Sequence, residues 1–142
     1  MGAKFIVAVS LVIGRDGTVL LVRRSPGKDH APSDWESVSG RVESGETPVE
    51  TARREAFEET GLSINVLEPL DTFHFYRGDT REEAIGITFH CRWLEGEVRL
   101  SEEHTAFAWV SRDQVRNYKL PLELLRCIDN VLDDACVRRS AP

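Results

Sequence analysis

The sequence predicts one α/β sandwich built on a mixed sheet. Three observations point there. The chain has 142 residues, 41% of them apolar and 30% charged. That size and balance suit one globular core that buries roughly two thirds of the unfolded surface. Segments of strand character lie on both sides of one sharply delimited helix, in the order β-β-α-β-β-β-α. No internal repeat, low-complexity stretch or linker divides the chain, so residues 1–142 read as a single domain.

Residues 4–13 are rich in Val and Ile and read as a buried strand. Asp16-Gly17 turns the chain, and residues 18–24 pair back as a hairpin. Residues 25–34 hold Pro26, Gly27, Pro32 and Asp34 and read as a loop; Trp35 to Val42 is short and extended. The helix then starts with Thr47 as N-cap, Pro48 at the first helical position and Glu50 completing a capping box. It runs through Thr60, and Gly61 stops it. Val49, Ala52, Ala56 and Phe57 are its expected inward positions. Residues 63–76 and 82–94 alternate as two long strands around Arg77-Gly78-Asp79-Thr80. Residues 96–100 and 106–110 read as short strands. Residues 121–135 carry apolar side chains at helical spacing behind Pro121, and Val137–Pro142 reads as a frayed tail.

Composition excludes several classes. No apolar run approaches the ~20 residues of a membrane helix. Lys and Arg number 18 against 24 Asp and Glu, a net charge of −6, which offers bulk DNA or RNA no basic face. The three cysteines, Cys91, Cys127 and Cys136, form no Cys-x-x-Cys pair; a reducing, cytoplasmic setting fits them better than a disulfide framework or a thiolate zinc site. Lys4 and the run to Ile13 imitate a leader peptide, but a hairpin turn follows where a cleavage site would stand. Met1-Gly2 imitates a myristoylation start, but Ile6 replaces the expected hydroxyl residue.

Between residues 40 and 61 stand six acids, Glu43, Glu46, Glu50, Glu55, Glu58 and Glu59, against three arginines. Glu55, Glu58 and Glu59 are spaced i, i+3 and i+4, which puts three carboxylates on nearly one helix face. In water such repulsion is a few tenths of a kcal/mol per pair. At ~6 Å in a partly buried setting it rises to about 2–3 kcal/mol. A divalent cation would relieve it, and oxygen ligands without nearby His or Cys suit Mg²⁺ or Mn²⁺ rather than Zn²⁺. Taken alone, the charge pattern is read more simply as a solvated acidic face with Arg54 and Glu58 as an i,i+4 pair.

The longer pattern decides between the two. Gly40, then Glu46, Arg54, Glu55, Ala56, Glu58, Glu59, Gly61 and Leu62 resemble the Nudix box in register. That signature of the Nudix (MutT-like) hydrolases runs Gly, five residues, Glu, seven residues, Arg-Glu, an aliphatic residue, any residue, Glu-Glu, any residue, Gly, an aliphatic residue. Ala56 is small for its slot. Val38-Ser39-Gly40 stands where many relatives have Pro-Gly-Gly, a departure that bears on specificity more than on chemistry.

The resemblance implies a Nudix-like α/β/α sandwich (α+β in the broad sense). It also implies hydrolysis of the pyrophosphate linkage of a nucleoside diphosphate joined to a group X, with Mg²⁺ or Mn²⁺. The implied metal ligands are Glu55, Glu58, Glu59 and the Gly40 carbonyl. Arg54 would orient carboxylates, with Glu55 or Glu58 as its partner. Two general bases stay open: Glu59, inside the carboxylate cluster, and Glu103, in a Ser101–His104 loop like those that supply a late acid in this family. Glu102 is a weaker candidate, and His104 is expected to be a loop contact. Substrate contacts are expected from Arg24 at a strand end (with Arg23, one of the two facing away), Glu43, Phe75 and Tyr76. Trp35, Phe73 and Trp109 are further aromatics available for stacking, and Glu123 is a candidate for the base.

The short chain resembles small MutT-like nucleoside triphosphate pyrophosphohydrolases more than longer ADP-sugar hydrolases. ADP-ribose or dinucleoside polyphosphate hydrolysis is the alternative, and a non-catalytic Nudix-fold nucleotide sensor another. The expected partner is a nucleotide or related pyrophosphate, with no bulk nucleic acid and no membrane. The assembly is a monomer or a homodimer.

Overall fold

The computed structural model describes residues 2–27 and 33–140, with side chains described as far as Asp133. Its elements are β1 (Ile6–Arg15), β2 (Thr18–Arg24), β3 (Trp35–Glu36), β4 (Val38–Arg41), α1 (Pro48–Thr60), β5 (Ser63–Arg77), β6 (Glu82–Glu95), β7 (His104–Val110), α2 (Arg112–Val115) and α3 (Leu122–Ser140). One mixed sheet follows the path β3-β2-β1-β6-β5, with β4 added to β1 and β7 to β2. β1 runs parallel to β6 from Ile6↔Ala84 to Gly14↔Arg92, and antiparallel to β4 from Ala8↔Arg41 to Leu11↔Val38.

Alternation along β1 builds both cores. Val9, Leu11 and Ile13 pack with Ala52 and Ala56 of α1. Val12 faces the other way and packs with Cys127, Ile128 and Val131 of α3. The two helices therefore cover opposite faces, which is the α/β/α sandwich that the resemblance implies. Burial pushes the Cys91 thiol up to about 12, so it behaves as a small core hydrophobe. No helix among the described residues is long and apolar enough to cross a membrane.

Four expectations change. Residues 96–100 form no strand. Arg99 N donates to Thr60 O at 2.8 Å and Ser101 N to Glu59 O at 3.1 Å. The last carbonyls of α1 lack helical donors, and this segment supplies them in place of joining the sheet. Phe57 is 62% exposed; Thr51, Glu59 and Thr60 take the inward positions beside Ala52 and Ala56. A single-turn helix, α2, begins at Ser111, whose backbone N–H donates to Gln114 Oε1 at 3.0 Å, a Ser-x-x-Gln capping signal. Finally, α3 continues to Ser140, through most of the expected tail. Part of the expected 25–34 loop, residues 28–32, lies outside the described residues.

Candidate active site

The site begins with the cap that fixes the phase of α1. Glu50 N donates to Thr47 Oγ1 at 3.1 Å, and Thr47 N donates to Glu50 Oε1 at 3.2 Å. The helix ends at Gly61, whose φ of 74° places it in the left-handed region and whose N–H bonds Phe57 O. Both ends being set, Arg54, Glu55, Glu58 and Glu59 project at fixed angles.

Arg54 gathers the acids. Its Nε donates to Glu46 Oε2 at 2.7 Å and its Nη2 to Glu46 Oε1 at 2.8 Å. Nη1 reaches Glu55 Oε1 at 2.8 Å and Glu58 Oε2 at 3.2 Å. Nη2 also donates to Arg41 O at 3.1 Å and lies 3.8 Å from Glu43 Oε1. Glu55 and Glu58, the expected partners, are thus both engaged. The two-bond partner is Glu46, to which the sequence reading gave no role. Its signal was available, since the box fixes a Glu eight residues before the Arg. Glu46 further accepts from Glu43 N at 3.0 Å and Thr51 Oγ1 at 2.9 Å.

Electrostatics follow this geometry. The Arg54 guanidinium, with help from Glu43 N and the Thr51 hydroxyl, lowers the Glu46 carboxyl from its ordinary 4.5 to about 2. Arg54 is held still more firmly protonated, chiefly by Glu46. Glu55 moves the other way: burial raises it, Glu58 adds repulsion, and hydrogen bonds from Arg54 and Glu59 offset only part. A depressed carboxyl stabilises the fold above its unfolded pKa and loses that contribution as pH falls through its folded value. Glu46→Gln is therefore expected to melt below wild type at pH 7, with the gap closing as pH falls from 4.5 toward about 2. A gap of constant size in thermal melts across that range would contradict the assignment. Glu55 has the opposite sign, its ionisation penalty being relieved in acid.

Glu55 lies directly on Gly40. A Cβ built at Gly40 would meet Glu55 Cδ at 2.2 Å and Oε1 at 2.5 Å. Glu59 is 9% exposed, while the Glu58 side chain is 58% exposed. Among the described residues, no three His, Cys, Asp or Glu side chains are grouped, as placed, to hold a metal ion; Nη1 of Arg54 binds Glu55 and Glu58 together instead. The donor types nevertheless fit a hard divalent cation: carboxylate oxygens on one helix face, beside a strand glycine.

Glu103 sits in a loop fastened to both α1 and β2. Ser101 N bonds Glu59 O, Ser25 N bonds Glu103 O at 3.0 Å, and Glu103 N bonds Ser101 Oγ at 3.3 Å. His104 is buried at 7% exposure, its Nε2 3.5 Å from Glu36 Oε2, and is the expected contact residue rather than a surface base. Glu102 is exposed, and its carbonyl accepts from Ser25 Oγ.

The expected substrate contacts do not converge. Arg24 Nη1 bonds both Glu36 oxygens, at 2.9 and 3.0 Å, whereas Arg23 is exposed and bonds Ser33 O. Phe75 is opposite Ala84 and stacks with Phe73, whose ring covers Gly86. Tyr76 is the next residue on β5, so it faces the other side, where Arg81 lies over its ring at 4.8 Å. A single base cannot stack on both. Trp35 packs edge-on against Tyr118, and Trp109 packs with the α1-side core. Glu123 is exposed in the first turn of α3.

The α/β/α sandwich thus carries an arginine-gathered glutamate cluster against a strand glycine, the arrangement expected of the hydrolases whose box this chain resembles. The chain matches the NUDIX domain over residues 4–131, and it belongs to the Nudix hydrolase family. It is 31% identical over 119 residues to nucleoside triphosphatase NudI of Escherichia coli, covering 77% of this chain and 84% of that protein. It is 37% identical over 127 residues to an octanoyltransferase of Myxococcus xanthus; the match takes in 84% of this chain but spans only 34% of that relative's length. The MutT protein of Methanosarcina mazei Go1 superposes with a TM-score of 0.72 at 27% identity, covering 94% of this chain and 96% of the other.

Proposed function

We propose that the chain hydrolyses the pyrophosphate linkage of a nucleoside diphosphate joined to X, with Mg²⁺ or Mn²⁺, and that nucleoside triphosphates are its substrates. The observation that carries this is the complete Arg54 hub, with Glu46, Glu55 and Glu58 all bonded to one guanidinium and Glu55 seated on Gly40. A nucleotide sensor without catalysis has no need of the whole set. Resemblance to NudI and MutT favours triphosphates over the alternatives, ADP-ribose and dinucleoside polyphosphates. A cytoplasmic location belongs to the same reading.

Glu55, Glu58, Glu59 and the Gly40 carbonyl would hold the ion. When bound, it supplies the positive charge that lets an acidic face accept a polyphosphate and polarises the phosphoryl oxygens. The protein's own side chains do the rest. Glu46 locks Arg54, and Arg54 orients Glu55 and Glu58 through charge-assisted hydrogen bonds. Buried Glu59, hydrogen-bonded to Glu55, serves as a ligand. Glu103, half-exposed in its tethered loop, takes the proton of the attacking water. Phe75 is the proposed stacking surface for a base, with Tyr76 and Glu43 at the margins of the bound substrate.

The test is a panel of nucleoside triphosphates, dinucleotides and ADP-sugars with Mg²⁺ or Mn²⁺, scored for phosphate, pyrophosphate and nucleoside monophosphate. Release of monophosphate and pyrophosphate from a triphosphate, abolished by excess chelator, is the expected result. Turnover at full rate in chelator would refute metal dependence, and turnover of ADP-sugars alone would move the substrate to the alternative.

A further inference from the structure

The end of β2 carries a second polar cluster that the proposed chemistry leaves unused. Arg24 Nη1 holds both oxygens of Glu36, and Glu36 Oε2 lies 3.5 Å from His104 Nε2. All three side chains are largely buried, at 19%, 20% and 4% exposure. They join β2, β3 and the first residue of β7, where the β2–β7 register slips between Arg23 and Arg24. Burying a cationic side chain at a strand end is costly unless it is paired. The next residue, Ser25, continues the connection. Its N–H donates to Glu103 O at 3.0 Å and its Oγ to Glu102 O at 2.6 Å. Across the loop, Ser101 N donates to Glu59 O, and Ser101 Oγ accepts from Glu103 N.

We propose that Ser25 is a positioning residue, and that with the Arg24–Glu36–His104 unit behind it, it braces the Glu103 loop against the carboxylate face of α1. The inference rests on the reading of Glu103 as proton acceptor, and it gives Arg24 a role other than phosphate contact. The geometry fits a brace. One side of the loop hangs from the last turn of α1 through Ser101, and the other hangs from β2 through Ser25. Glu103 lies between these ties, next to buried His104, whose Nε2 is 3.5 Å from Glu36 Oε2. A general base must be held within hydrogen-bond reach of its water, and small misplacements in such a group lower turnover steeply. A main-chain bond from Ser25 N reaches Glu103 O; the Ser25 hydroxyl adds the neighbouring carbonyl and so restrains rotation of the peptide that leads into Glu103.

The experiment is a double-mutant cycle on the full chain, with kcat and KM measured in Mg²⁺. Ser25→Ala is expected to lower kcat about five- to tenfold with KM changed less than about twofold. Ser25→Thr, which keeps the hydroxyl, is expected to restore kcat. Glu103→Gln is expected to lower kcat by about a hundredfold. In that background, adding Ser25→Ala or Glu36→Gln is expected to cost nothing further. Wild-type kcat in Ser25→Ala, with Glu103→Gln impaired, overturns the brace alone. An undiminished effect of Ser25→Ala in the Glu103→Gln background also overturns it, because the hydroxyl then acts through some other group. Wild-type kcat in Glu103→Gln by itself overturns the reading of Glu103, and the brace's purpose with it. Ser25 makes an exposed side-chain bond, so its variants are expected to fold; Glu36→Gln with Glu103 intact is expected to lower kcat as Ser25→Ala does, and wild-type kcat there removes the buried unit from the brace.

Discussion

Glu58→Gln is expected to lower turnover at least about a hundredfold while leaving the fold intact. The two halves of that expectation have separate causes. In the fold, the Glu58 side chain is 58% exposed and makes one bond of 3.2 Å to Arg54 Nη1. Exposed i,i+4 pairs of this kind are worth about 0.3–0.5 kcal/mol. Glu58 also repels Glu55 and helps to raise its carboxyl, so the neutral amide relieves a neighbour as it loses a partner. Metal-free thermal stability should therefore stay level or rise. In the reaction the amide keeps the shape but removes a full negative charge from the proposed cation site, and a hundredfold loss corresponds to about 2.7 kcal/mol. Mn²⁺ affinity should weaken in parallel. Purified Glu58→Gln with near-wild-type kcat and unchanged Mn²⁺ affinity would refute the role assigned to this side chain.

The helix that carries this residue was legible because its boundaries are written in local chemistry. Thr47, Pro48 and Glu50 at one end and Gly61 at the other act within a turn of themselves, and the cap bonds form as expected. The strand pairs were legible for the same reason, through alternation and short turns. What failed to show is tertiary. Val98 and Leu100 alternate like strand residues, yet the N–H groups of their neighbours Arg99 and Ser101 serve the orphan carbonyls of α1, a demand no local window reveals. Phe57 is apolar but points away from both sheet and core. Glu46 bonds Arg54 only because the 41–47 turn folds back over the helix start. The pairing of Arg24 with Glu36 depends on β2 and β3 being neighbours across a loop whose course the sequence does not specify. Phe75 and Tyr76 are adjacent aromatics in the sequence, and only the strand geometry of β5 puts them on opposite faces.

Those tertiary relations make Gly40 the position where the smallest change should have the largest effect. Gly40→Ala is expected to reduce turnover by more than about a hundredfold and to lower the thermal midpoint, overpacking of this kind costing about 1–3 kcal/mol. The cause is space. The added methyl would sit 2.2 Å from Glu55 Cδ and 2.4 Å from its Cγ. β4 cannot retreat, because Gly40 is laddered opposite Val9. The carboxylate cannot simply turn aside, because Arg54 holds Oε1 at 2.8 Å and its side chain is only 13% exposed. Alanine keeps the backbone carbonyl at position 40, so the expected loss of activity comes from displacing Glu55. The stability cost should vanish when the obstructing side chain is removed: in a Glu55→Ala background, Gly40→Ala is expected to leave the midpoint unchanged, with neither protein expected to turn over substrate. An equal drop in midpoint with and without the Glu55 side chain would show that the methyl strains the strand itself, and would sink the claim that this glycine exists to seat a carboxylate.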